Sequence, residues 1–265
     1  MNIVLRELMS GRKSLIWWSV GLLAMIAGGM SKYGGMQSSG QSANDLFAAM
    51  PKSLQAIFGV STLDISTALG YYGLIFSYLL LMAAIYAVML GANSIAKEER
   101  DKTSEFLMAK PVSRRRIITS KLAAAIILLF LFNLITFLLS AMMVNYYDSG
   151  AEITSKIAAL VGGMFLLQLI FLAIGTSIAA VSKRPKLATS IATGILLLTY
   201  ILSIAVELSS KLENLKYIIP FKYFEAKYIL ASDGFDAVFV ILSVVIVVVL
   251  INATYILYQK RDLNI

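Results

Sequence analysis

Six stretches of this sequence run without a charged side chain, each for about 18 residues or longer. They are bounded by Lys13/Lys32, Asp64/Lys97, Lys121/Asp148, Lys156/Lys183, Lys186/Glu207 and Asp236/Lys260. A helix rising about 1.5 Å per residue crosses a hydrocarbon core of roughly 30 Å within each of them. The expected fold is therefore all-α, a single polytopic transmembrane domain over residues 1–265. Its spans lie near 14–33, 71–95, 122–145, 158–181, 187–206 and 237–258. Only 14% of residues are charged, against about 25% in soluble domains, and mean hydropathy is +0.81. Trp17, Trp18, Tyr71, Tyr72, Tyr146, Tyr147, Tyr200, Tyr255 and Tyr258 fall near span ends, as interfacial aromatic belts do. The first run lacks an Ala-x-Ala-like cleavage site after it and reads as a retained span.

The basic excess has a topological explanation. With the N-terminus inside, the inner segments hold 16 of the 23 Lys and Arg and six of the 15 acids, a net of +10 against −2 outside. This is the positive-inside pattern, with both termini cytoplasmic. It removes the case for nucleic-acid binding that a formal charge of +8 would otherwise raise. With no cysteine and no histidine, the chain lacks thiolate metal sites and the commonest general base. No metal site and no catalytic residue is expected.

The charge is gathered in one island, the cytoplasmic loop 96–121, AKEERDKTSEFLMAKPVSRRRIITSK. It holds eight Lys and Arg and four Asp and Glu between two apolar runs. It reads as helix, turn, helix. The second span continues outward through Met108, with Lys97–Asp101 and Glu98–Lys102 as exposed i,i+4 pairs. Lys110-Pro111 stops that helix, and Ser113 caps the next. Arg114, Arg115 and Arg116 then occupy a helix first turn, where the macrodipole disfavours cations. Either lipid phosphates or acidic side chains hold them, or the triplet simply follows the positive-inside pattern.

Four other segments carry readable patterns. Residues 1–13 are amphipathic and suit an interfacial helix lying on the membrane. The first external loop is Gly/Ser-rich, then offers a short helix Pro51–Phe58 with Pro at its start and Gly59 past its end. SKRPK at 182–186 is a tight turn between two antiparallel spans. The segment 207–236 reads as an external helical hairpin broken at Pro220. After the break Phe221, Phe224, Tyr228 and Ala231 share a helical face, with Lys222 and Glu225 opposite. This face either rests on the outer leaflet or buries its aromatics against the bundle.

Polar side chains inside the spans are sparse. Asn133 and Gln168 are the candidates for lining a substrate path, or else they bond helix to helix. Gly162, Gly163, Gly175 and Gly194 suggest close helix packing. No charged residue lies deep in a span. An ion-coupled carrier usually needs one, so the pattern favours an apolar or amphipathic cargo.

The stretch EERDKTSEFLMAKPVSRRRIITSKL resembles the permease subunits of ABC-2 type transporters, the type V exporter fold. The resemblance rests on Glu98, Glu99, Thr103, Glu105, Leu107, Pro111, Val112, Ser113, Arg114 and Lys121, with Lys102 departing from a common glycine. AMPKSLQAIFGV and IIPFKYFEAKYIL resemble two further family elements in matching topological places. The resemblance implies a coupling interface for an ATPase at Glu98, Glu99, Arg100, Thr103, Glu105, Pro111, Arg114 and Arg115. It also implies two ABC ATPase copies, a second permease copy as homo- or heterodimer, and residence in a bacterial cytoplasmic membrane. Because no G-x-x-x-x-G-K-[ST] occurs in the chain, ATP and Mg would bind on the partner. The competing reading is an ATPase-independent membrane scaffold, immunity protein or regulator.

Overall fold

A computed structural model describes residues 3–38, 50, 51, 54, 55, 63–100, 112–182, 184–231 and 234–260. Six of its helices are long and apolar enough to cross a membrane. They are α1 (Ile3–Ser38), α2 (Ala68–Arg100), α3 (Arg114–Tyr147), α4 (Ala151–Val181), α5 (Pro185–Leu208) and α7 (Ala237–Lys260); α6 (Ala226–Ala231) is a short helix before the last span. Each apolar run of the sequence lies within one of the six long helices, and no strand occurs among the described residues.

The central pair is α2 and α4. They approach so closely that a Cβ at Gly91 would sit 2.4 Å from the Leu172 carbonyl oxygen, and one at Gly175 2.4 Å from that of Val88. Lipid gives helices no hydrophobic reason to associate, so small residues that let backbones touch are the natural glue. Around this pair, α1 packs on α3, α7 on α4 and α5 on α2. Side-chain hydrogen bonds fix the registers. The Tyr72 hydroxyl donates to Ser140 Oγ at 2.7 Å, and Ser177 Oγ donates to the Leu250 carbonyl at 2.8 Å. The outer faces of α1, α5 and α7 present Ile16, Trp17, Leu198, Ile201, Ile241 and Val249 outward, as a hydrocarbon solvent requires.

Several expectations change. Residues 3–13 do not form a separate surface helix, because α1 is continuous from Ile3. Gly11 lets α1 press against Leu128 of α3, and a charge contact from Arg6 to α2 holds the segment in line with the span. The aromatic belt is partial. Trp17 and Tyr146 are exposed, but Tyr71, Tyr72 and Tyr258 are buried in the bundle. Gly194 meets open space and packs against nothing. Most of Pro51–Phe58 lies outside the described residues. There the Leu54 and Gln55 amides donate to the Pro51 carbonyl, the start of a helical turn. At the 182–186 turn, the Ser182 hydroxyl bonds the Arg184 backbone and Pro185 opens α5.

The segment 207–236 departs most from the helical-face reading. It is two 3₁₀ stretches, Ser210–Tyr217 and Pro220–Lys222, followed by α6. The interruption at Glu225 resets the register. Phe221 and Phe224 are buried, whereas Tyr228 and Ala231 face out and Lys222 is buried instead of wet. Phe221 and Phe224 are thus packed against the bundle, and Tyr228 is not.

Candidate coupling site

The charged loop leaves the bundle at α2 and returns at α3, and its two ends are tied down by ionic contacts. Glu98 lies one turn beyond Ser94 on α2, turned toward α3. The expected i,i+4 pair with Lys102 falls outside the described residues, but the Glu98 side chain has partners within them. Its carboxylate is buried and forms an ion pair with Lys121, a lysine only 2% exposed. Lys121 Nζ also donates to the Ser94 carbonyl. The other carboxylate oxygen of Glu98 accepts from Arg6 Nη2 at 3.3 Å, and Arg6 also pairs with Glu7 at 3.0 Å. The neighbouring Lys97, about 100° around the helix, donates to Ser10 Oγ on α1. One buried carboxylate therefore binds α1, α2 and α3 together where the loop begins.

The returning end is held differently. Ser113 caps α3 as its sequence position suggests, accepting from the Arg116 amide at 3.3 Å. Arg114 escapes the unfavourable first turn by reaching across to α7. Its Nη1 donates to the carbonyls of Tyr258 at 3.4 Å and Gln259 at 3.3 Å. Those are terminal carbonyls of a helix, the negative end of its dipole. The Thr119 and Tyr255 hydroxyls bond at 2.8 Å one turn deeper. The terminal carbonyls of α7 are thus among the groups that hold Arg114. Arg115 and Arg116 stay exposed. Replacing Arg114 with alanine should cost about 1 kcal/mol, read as an earlier unfolding transition in micelles, with Arg114→Lys recovering only part.

Of the other loop positions, Glu99 and Arg100 lie in the last helical turn of α2. Thr103, Glu105 and Pro111 lie outside the described residues.

A family model described as ABC-2 family transporter protein matches residues 1–263. The chain belongs to the ABC-2 transporter family. A search of curated proteins finds no significant match. The chain is thus a multi-pass transmembrane transporter subunit, and its family works with an ABC ATPase partner.

In this ABC-2 permease Asn133 and Gln168 meet each other. Asn133 Nδ2 donates to Gln168 Oε1 and to the Leu129 carbonyl, and Gln168 Nε2 donates to the Ala83 carbonyl at 3.2 Å. The pair therefore bridges α3, α4 and α2 through the centre of the bundle. Both are buried, and neither lines the crevices beside Glu207, Tyr217 or Lys97.

At the opposite end of the permease lies a cluster that the sequence did not reveal. Lys222 pairs with Glu207 at 2.7 Å and Glu225 at 2.6 Å, and Lys227 with Glu207 at 2.6 Å and Glu225 at 3.2 Å. It adjoins a cavity of about 860 Å³ ringed by Tyr217, Tyr223, Tyr228 and Phe239. The trace of the cluster in the sequence is the i,i+3 spacing of Lys222 and Glu225, a spacing equally common on a solvated helix face. Burial pushes the Lys227 ammonium down, but Glu225 and Glu207 more than offset this and hold it above the ordinary lysine value of 10.5. Its contribution to stability is then full below pH 10.5 and fades as pH rises through the higher folded value. An alkaline titration followed by proteolysis of the 207–236 segment should show this loss in the native chain and a smaller one in Lys227→Gln.

Proposed function

We propose that this chain is the membrane permease of an ATP-binding-cassette exporter. It moves a hydrophobic or amphipathic cargo, such as a peptide, drug or lipid, across a bacterial cytoplasmic membrane. ATP and Mg bind and react on a separate ATPase, present in two copies, and a second permease copy completes the assembly. The end carrying the N-terminus and the 96–121 loop faces the cytoplasm, as the basic side chains favour. The ATPase docks on the acidic half of that loop and on Arg115.

The observation that carries this reading is the bracing of both loop ends. A push on the loop reaches α1 and α3 through Glu98, and α7 through Arg114. A scaffold without a motor has no need to tie a solvated loop to four spans. The absence of deep charges in the spans supports an apolar or amphipathic cargo.

Copurification from the native membrane tests it. The tagged chain should carry an ATP-hydrolysing subunit with it, and Glu105→Lys with Arg115→Glu should lower that recovery about tenfold. A wild-type chain that brings down no such subunit would refute the reading.

A further inference from the structure

Among the described side chains of the ionic cluster at the N-terminal end, Arg6 and Lys121 pair with Glu7 and Glu98. Lys97 is the charge left over. It is half-buried, and among the described residues it meets Ser10 Oγ and no carboxylate. Next to it a crevice of about 280 Å³ opens between α1, α2 and α3. The crevice changes character with depth. Lys97, Ser10 and Ser14 stand toward the charged end, beside Glu7, whose carboxylate is engaged by Arg6, and Trp18, Met89 and Leu128 farther into the apolar part of their helices. From Lys97 to Tyr86 the wall follows α2 for about 16 Å. The facing helices also leave two buried hydroxyls, Ser19 Oγ and Tyr86 Oη, without hydrogen-bond partners. Such groups are costly and uncommon in a closed interface. They mark a seam that the protein does not complete by itself.

We infer that this crevice is a binding site for an anionic phospholipid drawn from the adjoining leaflet. The headgroup phosphate sits against the Lys97 ammonium and the Ser10 and Ser14 hydroxyls. One acyl chain follows the Trp18, Met89 and Leu128 wall. The surplus cation supplies charge complementarity, and the surrounding bilayer supplies the ligand at high local concentration. Lys97 lies at the start of the loop at which the ATPase is proposed to dock, but the test uses the chain without an ATPase, so its outcome does not depend on that partner.

The test uses the full chain in bilayers, with Trp17→Phe leaving Trp18 as the sole tryptophan. Dibrominated phosphatidylglycerol should quench Trp18 with about fivefold higher apparent affinity than dibrominated phosphatidylcholine, the size of one lysine–phosphate attraction at a membrane surface. Lys97→Gln should abolish the preference and Lys97→Arg should keep it. Ser14→Leu, which fills the crevice, should reduce quenching by both lipids. Equal quenching by the two lipids overturns the inference. So does a preference that survives Lys97→Gln but disappears in Arg12→Gln/Lys13→Gln, because the attraction would then belong to the membrane surface alone.

Discussion

Glu98→Ala is expected to destabilise the permease by about 3 kcal/mol. The substitution leaves Lys121, 2% exposed, as an unpaired ammonium inside the bundle. Truncating one partner of a buried pair is far more damaging than removing both, because the survivor keeps its desolvation cost and loses its compensation. The double variant Glu98→Gln/Lys121→Met should therefore unfold close to the wild type. Reversible denaturation in mixed micelles reads both. The double variant also separates folding from transmission. On the proposed function, it should retain ATPase binding at the loop yet lose the stimulation of ATP hydrolysis by cargo. If the single variant proves as stable as the double, Glu98 is not the strut between α1, α2 and α3.

Adding one methyl group between α2 and α4 should be nearly as severe. A Cβ at Gly91 or Gly175 would lie 2.4 Å from a backbone carbonyl oxygen of the facing helix. A flexible side chain could swing away from such a contact, but backbone cannot, so the two central helices must separate. Gly91→Ala or Gly175→Ala should each cost about 2 kcal/mol or more, and the double variant should cost less than the sum, because one displacement relieves both clashes. Gly194→Ala is the control. Its Cβ meets nothing within 4 Å, and in a helix alanine is favoured over glycine, so that variant should match or exceed wild-type stability. Thermal unfolding of the three variants side by side decides the matter.

The contrast among these glycines shows what was legible in the chain and what was not. Gly175 and Gly194 look alike in sequence, each a glycine in an apolar run, and both suggested close packing. Only Gly175 faces a neighbour. Gly91, which pairs with it, carries no signal of its own in the sequence, because a small residue marks a contact only when the opposite helix is known. Asn133 and Gln168 stand out in the sequence as rare polar groups in apolar spans, and isolated amides in lipid need partners. That they partner each other, 35 residues apart, is not written in either neighbourhood. The external segment misled for a different reason. A helical face was projected across Glu225, where the backbone changes from 3₁₀ turns to α6, and one break in period reverses which side chains are inside.

By itself, the sequence determined the six spans, the gathering of charge into one loop, the Ser113 cap and the family to which the chain belongs. Each of these is local. Hydropathy over about 20 residues decides entry into lipid, and a motif is a run of neighbours. Tertiary structure alone decided what the loop's ends hold. Glu98 found Lys121 on α3 and Arg6 on α1, and Arg114 found the carbonyls of Tyr258 and Gln259, 144 and 145 residues distant. Backbone carbonyls leave no mark in a sequence. Which helix end lies beside which cation is settled only when six helices pack together.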